Sequence, residues 1–475
     1  MSEIARETRE DSASQERLKD TGLLIFVLRY DDLCAGDSIA LLLFVRENSR
    51  LEIGRAARSG PPLREGQRLL LSDPFVSRSH AHITRRGGVD IIEDLGSRLG
   101  TFVNDVRIVD ATPLADGDCI EMGHSLFVYR RTDADTALRL TDTESKTIHG
   151  PTQTLSPELV RVSSDLERIA PSDQPVLLLA ETGAGKEIAA RFVHDKSGRA
   201  GAFVAIDCGA IPPHLVESEL FGHKRGAFSG AHEERMGRIR SAEGGTVFLD
   251  EIGNMPAQAQ ATLLRVVQER EVIPVGADKG KRVNVRWVAA TNADLFSKKS
   301  DFRADLRARL SGYVAQLPPL RERREDLGFL CAHLLAKHGI RSASMTRGAA
   351  RALFLSELSG NVRELEQALA SAAVLVGEGP IDVHHLSVLA AKREREHRPA
   401  PKQSAPPRLA RSTEKARDRS YTRRPSKADI EQALAKAKRV QSEAARLLGV
   451  HERQLARWMD AYGIERARRS ALKNE

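Results

Sequence analysis

The chain has 475 residues, 41% hydrophobic and 29% charged, with a net charge of +8 and a pI of about 9.4. Length alone suggests about three domains, and the basic balance favours an acidic partner such as nucleic acid. The longest apolar runs, such as Ile39–Val45, fall far short of a membrane span of about 20 residues. Residues 1–20 are charged, lack the apolar core of a signal peptide and read as a disordered tail. Cys34, Cys119, Cys208 and Cys331 are scattered, with no CxxC or His/Cys spacing. Neither zinc nor a disulfide framework is indicated, and reduced thiols in a cytoplasmic protein are the simple reading.

Residues 21–132 are dense in short β-type runs: Leu23–Leu28, Ile39–Val45, Gln67–Leu71, Ala81–Thr84, Val89–Ile92 and Leu126–Tyr129. Turn residues separate them, a pattern that predicts a β-sandwich. Within it lie Ile53–Ala56 (IGRA), Ser77–His80 (SRSH) and Asp94–Asn104 (DLGSRLGTFVN). These stretches resemble a forkhead-associated (FHA) domain, a phosphothreonine-binding sandwich. The resemblance implies that Arg55 and Ser77 grip the phosphate, Arg78 adds charge and His80 braces a loop. Where that family carries Thr-Asn-Gly-Thr, this chain reads Arg98-Leu99-Gly100-Thr101, and Leu99 cannot hold a peptide backbone as asparagine does. A module kept only for protein contact is the rival reading.

Residues 133–155 read as a linker, and an α/β region begins near Ser156. Val176–Leu179 is a short apolar run typical of a strand buried on both faces. It leads into Glu181, Thr182, Gly183, Ala184, Gly185 and Lys186, then a helix-compatible run from Glu187. Strand, glycine turn, lysine and helix make a phosphate cradle: loop and helix-start amides face the phosphates, and the lysine adds charge. The generic GxxxxGK[ST] pattern is broken by Ala180 and Glu187, which leaves a fortuitous Gly-Lys turn open on this motif alone.

Phe203–Ile206 is a further core strand, followed by Asp207. Val247–Leu249 ends in two acids, Asp250 placed for Mg2+ and Glu251 placed to polarise water. A third strand, Val285–Ala290, ends at Thr291-Asn292, where Asn292 can sense a γ-phosphate. Arg303 and Arg309 follow, six residues apart and so within reach of one helix edge. Residues 319–390 carry helical patterning, and Gly360–Leu365 (GNVREL) places Arg363 at a helix start.

Together with Glu217–Ala231 (ESELFGHKRGAFSGA), these stretches resemble the AAA+ domain of bacterial sigma-54-dependent transcription activators. The loop Gly226, Ala227, Phe228, Ser229, Gly230 and Ala231 is similar to that family's GAFTGA signature, which contacts sigma-54, and Glu187 is what the family carries after the lysine. The resemblance covers roughly 156–390, with an α/β subdomain at 156–318 and a helical lid at 319–390. It implies that Arg363 contacts nucleotide in cis and that Arg303 and Arg309 reach a neighbour's γ-phosphate. It also implies that position 207, an asparagine in the family and an aspartate here, couples Glu251 to nucleotide state.

Residues 391–424 form a basic, Pro- and Ser-bearing linker suited to nonspecific phosphate attraction. In 425–475, Ser426 caps the run Asp429–Lys436, and further helices are expected at Ser442–Leu448 and Glu452–Ala461 around a Gly449 stop. Ala445, Leu448, Leu455 and Met459 fall on a core face. This stretch resembles a Fis-type helix-turn-helix, which leaves Arg453, Gln454 and Arg457 to read a DNA groove. A generic helical hairpin is the bland alternative.

The expected architecture is a multidomain chain: an N-terminal β-sandwich, a central α/β AAA+ P-loop ATPase with helical lid, and a C-terminal all-α helix-turn-helix. The resemblance implies a sigma-54-dependent activator that uses ATP and Mg2+ in a homo-oligomeric ring, a hexamer in the family. Its partners would be sigma-54 RNA polymerase holoenzyme, upstream double-stranded DNA and a phosphothreonine protein. A nucleotide- and DNA-binding regulator that does not activate sigma-54 stands as the alternative, with Ser229 in place of threonine as the feature in its favour. An FHA-targeted remodelling ATPase without a promoter role is a second, which the helix-turn-helix opposes.

Overall fold

The computed structural model describes residues 21–34, 39–43, 50–57, 62–141, 154–229, 231–297, 300–377, 379–386, 426–437, 441–448 and single positions between 450 and 464. Residues 21–132 form two six-stranded sheets packed face to face. The first runs, in spatial order, Ile39–Leu43, Thr21–Arg29, Ser125–Thr132, Cys119–Met122, Thr101–Val103 and Val106–Arg107. The second runs Thr112–Pro113, Val89–Asp94, Ala81–Arg86, Arg50–Arg55, Arg68–Leu71 and Leu63–Glu65. Leu24, Phe26, Ile53, Ile83, Ile92 and Phe127 fill the space between them.

The strand Thr21–Arg29 is buried on both faces, which a free-standing sandwich does not require. Leu24 and Phe26 face the sandwich core, whereas Leu23 and Ile25 pack outward with Ala137, Leu140 and Val160. A register shift between Phe26 and Leu28 marks a bulge, and beyond it Val27 and Leu28 join a different core, that of the lid. Residues 134–141 depart from the expected linker: Ala134–Thr141 is an amphipathic helix covering the outward face of that strand. Thr136, Ala137 and Leu140 are its buried positions, at helical spacing.

Residues 156–318 hold a five-stranded parallel sheet in the order Phe203–Asp207, Thr246–Asp250, Arg286–Thr291, Val176–Leu179, Tyr313–Gln316. The register aligns Leu179 with Thr291 and Asp207 with Asp250, so the carboxyl ends of the strands share one edge. Functional loops gather at such an edge, where strand order reverses. The lid follows as helices Leu327–Lys337, Arg347–Phe354 and Asn361–Val376.

Besides its interior core, the sandwich shares a second hydrophobic core with the lid. Val27, Leu28, Tyr30, Leu33, Leu126 and Val128 are continuous with Leu320, Leu327, Leu334, Leu335, Leu353 and Leu369. Backbone bonds reinforce the seam: Leu33 donates to the Ala343 carbonyl (2.9 Å) and Met345 to that of Tyr30 (2.6 Å).

The C-terminal unit has a core of its own, with Ile430, Ala444, Ala445, Leu448, Leu455, Trp458 and Met459 buried together. Helix Lys427–Lys436 starts with a capping box between Ser426 and Asp429, and helix Gln441–Leu447 follows. Leu455, Ala456, Trp458 and Met459 are also helical. Residues 1–20, Gly230, Arg453, Gln454 and Arg457, and all of the basic linker 391–424, lie outside the described residues. Among the described residues, no helix is long and apolar enough to cross a membrane.

Candidate active site

The loop after Val176–Leu179 is shaped by two left-handed glycines, Gly183 (φ 76°) and Gly185 (φ 107°). A Cβ on Gly183 would stand 2.4 Å from the carbonyl oxygen of Gly360, so only glycine lets the lid approach the loop this closely. Helix Lys186–Lys196 begins at once, which aims its unpaired first-turn amides at the loop mouth. Lys186 is only 6% exposed. Its Nζ lies 2.5 Å from Glu251 Oε1 and 3.9 Å from Asp250 Oδ1. Glu187, by contrast, is exposed and pairs with Arg191 one helical turn on.

Asp250 ends its strand and is partly shielded; burial raises its carboxyl above the usual range, with Lys186 pulling the other way. Glu251 adopts a left-handed backbone (φ 49°, ψ 45°), a costly conformation for a residue with a side chain. That twist turns its carboxylate back over the phosphate loop, where Oε2 also accepts from the Asn292 amide (3.3 Å). The Asn292 side-chain amide reaches Thr182 Oγ1 at 3.3 Å. Three strand ends therefore bring Lys186, Asp250, Glu251 and Asn292 together.

Asp207 stands beside Asp250 in register, but its Oδ1 accepts from the amides of Gly209 (2.9 Å) and Ala210 (3.2 Å). Its carboxylate thus braces a turn. Arg303 and Arg309 do not share a helix edge as expected. Arg303 precedes helix Ala304–Leu310 and folds back onto Asp305 (2.7 Å), whereas Arg309 is exposed with no ion pair among the described residues. Arg363 is exposed, and its Cβ would lie 3.2 Å from a Cβ built on Gly183.

Sequence reasoning missed the lid residues that grip the loop from outside. Arg321 donates to both oxygens of Glu181 (2.7 and 2.8 Å), which holds that carboxyl below its usual range. Arg323 donates to the Ala184 carbonyl (2.8 Å). Asn361 is fully buried in a left-handed conformation (φ 55°); its amide nitrogen reaches Glu181 Oε2 (3.1 Å) and the Thr182 carbonyl (3.0 Å), and its oxygen accepts from the Leu320 amide (2.7 Å). The Gly-Asn pair, a turn signal before a helix, was the available clue. Glu181, expected at the nucleotide, commits its side chain to this brace.

The loop at 226–231 is compact: the Gly226 amide donates to Ala231 O (2.8 Å), and the Ala231 amide to Phe228 O (3.0 Å). Ala231 is buried, Phe228 is 38% exposed, and Ser229 is exposed. The Phe228 ring meets His223 edge-on at 5.0 Å.

On the sandwich, Arg55, Ser77 and Arg78 come together at one loop cluster. The Arg55 amide donates to Ser77 O (3.0 Å), and a Cβ on Gly54 would strike the Arg78 carbonyl. Arg55 is exposed, and among the described residues its guanidinium donates to Pro74 O alone (3.2 Å). Ser77 Oγ accepts from the Arg98 amide (3.2 Å), which leaves its own proton free to donate. His80 is buried, accepts from the Ser77 amide at Nδ1 (3.0 Å) and reaches Gly100 O from Nε2 (3.3 Å), so it is the expected loop brace. Leu99 projects at 38% exposure.

Family models match four segments: the sigma-54 interaction domain at 153–316, the FHA domain at 51–123, the AAA+ ATPase lid domain at 321–403 and the Fis-family bacterial regulatory domain at 426–462. The central α/β body matches the sigma-54 interaction domain. The Nif-specific regulatory protein of Azotobacter vinelandii is 43% identical over 308 residues, covering 63% of this chain and 56% of that protein. The transcriptional regulatory protein FlbD of Caulobacter vibrioides is 41% identical over 283 residues, covering 57% of this chain and 61% of its own. Among solved structures, NtrX from Brucella abortus in complex with ADP is similar over 70% of this chain and 73% of its own, at 25% identity and a TM-score of 0.47. The chain spans 56% and 61% of the length of these two curated relatives.

Proposed function

We propose that this chain is an ATP-driven activator of sigma-54 RNA polymerase, governed by its FHA domain. The observation that carries the reading is the convergence of Lys186, Asp250, Glu251 and Asn292 at three strand ends, on the same α/β body that bears the loop 226–231. In this reading Lys186 and the loop amides hold the phosphates, and Arg363 closes on the nucleotide from the lid. Glu251 orients the attacking water and Asn292 reports on the γ-phosphate.

Asp250, a carboxylate at a strand end beside a second acid, offers the hard oxygen donor that Mg2+ prefers. The cation would neutralise charge developing on the β- and γ-phosphates. Arg309 is the better candidate for a neighbour's site, since Arg303 is tied to Asp305. Hydrolysis across a hexameric ring moves Phe228 and its loop against sigma-54, while Arg453, Gln454 and Arg457 hold the ring at upstream DNA. Arg55, Ser77 and Arg78 receive a phosphothreonine, with little selection for flanking sequence because Leu99 offers no backbone hydrogen bond.

In vitro transcription with purified sigma-54 holoenzyme tests the reading. ATP-dependent promoter opening is expected, with loss in Phe228→Ala while ATP turnover persists. Turnover with no transcript from wild-type protein would favour the nucleotide- and DNA-binding regulator instead.

A further inference from the structure

The segment Pro319–Leu327 touches three parts of the molecule within nine residues. Arg321 and Arg323 grip the phosphate loop at Glu181 and the Ala184 carbonyl. Two residues on, Glu325 is fully buried and receives Arg130 of the sandwich in a two-point contact (3.0 and 2.8 Å). Arg130 also donates to the carbonyl of Glu322. Asp326, equally buried, accepts from Thr154 Oγ1 (2.8 Å) and the Leu155 amide (2.7 Å), where the chain leaves the sandwich side for the ATPase.

A second tie lies beside the first. Glu121 of the sandwich is buried between Arg347 and Arg351 of the lid, with Arg351 Nε at 2.6 Å. Both guanidiniums lie over the ring of Phe102 (4.4 and 4.6 Å to the centroid). Phe102 sits on the three-residue strand that directly follows Arg98, Leu99 and Gly100 of the sandwich loop cluster. Two buried carboxylates and a shared apolar core leave the sandwich little freedom relative to the lid, because separating them would strand unpaired charge.

We propose that Arg130 is a positioning residue for the ATP site: through Glu325 it fixes the 319–327 segment, and so sets how firmly Arg321 and Arg323 hold the phosphate loop. The FHA domain is then a structural part of the nucleotide site rather than a detachable sensor. This rests on reading 181–187 as the nucleotide phosphate loop.

The test measures binding of a fluorescent ATP analogue and steady-state ATP turnover on the full chain. Arg130→Met with Glu325→Leu removes the pair without leaving a buried charge. The expected result is a rise of about tenfold in nucleotide Kd and in KM, within the usual range of coupling between sites, with kcat at saturating ATP within about twofold. In an Arg321→Ala, Arg323→Ala background the same double change should add little, because both grips on the loop are already gone; a purely structural role would give additive losses. Glu121→Gln, a milder change at the second tie, should shift Kd in the same direction if the double variant folds poorly. Wild-type Kd in both folded variants, or strict additivity with the Arg321→Ala, Arg323→Ala pair, overturns the proposal. Failure of the ATP reading looks different: wild-type protein would then not bind the analogue, or Lys186→Ala would bind it equally well.

Discussion

Lys186 and Arg55 are both cations at the mouth of a turn suited to phosphate, and their settings are opposite. Lys186 is 6% exposed and already held by Glu251 at 2.5 Å, with Asp250 close behind. Arg55 is exposed and, among the described residues, its guanidinium donates to a carbonyl alone. A buried ammonium needs a counter-charge, so a phosphate must compete with carboxylates for Lys186. In the proposed function, binding there draws on loop amides and the helix terminus as well, with Asp250 available to a cation. An exposed guanidinium has no such rival, but water and salt screen what it gains. The first setting suits a site that must rearrange at each turnover, the second one that reports a modification through a single strong contact.

The widest separation between the two sites should come from Glu251→Gln. Removal of the carboxylate that faces the loop should lower ATP turnover by about 10²–10⁴-fold, the scale of a lost general base. Nucleotide binding should persist or tighten, since Lys186 loses its rival. Near-normal turnover in this variant would remove Glu251 from catalysis. Nothing comparable is expected at the sandwich, where the equivalent change affects binding alone.

Next in size is the seam that joins the two sites. Leu28→Ala empties a position in the core shared by sandwich and lid, and the expected loss is about 2–5 kcal/mol in chemical denaturation. If sandwich and lid are one unit, fluorescence probes in each should report a single transition that shifts together. Two transitions, only one of them shifted, would show the domains to be independent.

Arg55→Ala should weaken phosphothreonine-peptide binding by about 1.5–3 kcal/mol, the value of a charge-assisted hydrogen bond, with no change in stability. Titration of phosphorylated and unphosphorylated peptides measures it. Equal binding of the two by wild-type protein would reduce the sandwich to a contact module.

The smallest effect concerns pH. Burial pushes Asp326 up to about 7, with Arg323 opposing. Its folded value lies above the unfolded carboxyl value of about 4, so the folded chain binds the extra proton between the two. The stability this confers is present at low pH and is lost as pH rises through about 7. Melting temperature should therefore fall between about pH 4 and pH 7 and level off above that. Asp326→Asn, which still accepts from the Leu155 amide, should flatten part of that fall. An unchanged slope would mean that Asp326 is ionised throughout.

Local pattern alone was enough to place Lys186, Asp250, Glu251 and Asn292, because each follows an apolar strand, and parallel strands deliver their carboxyl ends to one edge. The capping box at Ser426 was legible for the same reason, since cap and partner are three residues apart. Arg130 with Glu325, and Glu121 with Arg347 and Arg351, join positions about two hundred residues apart, and no local periodicity encodes such pairs. One trace of the seam did lie in the sequence: the unbroken apolar run Gly22–Leu28 lacks the polar face that a sandwich strand would show to water. Which surface covers that face, and that Ala134–Thr141 and the lid share it, depended on the fold. The side-chain roles of Glu181 and Asp207 were likewise settled by neighbours: a carboxylate bonds whichever donors surround it, and at these positions the donors are Arg321 and Asn361 from the lid and the amides of a tight turn.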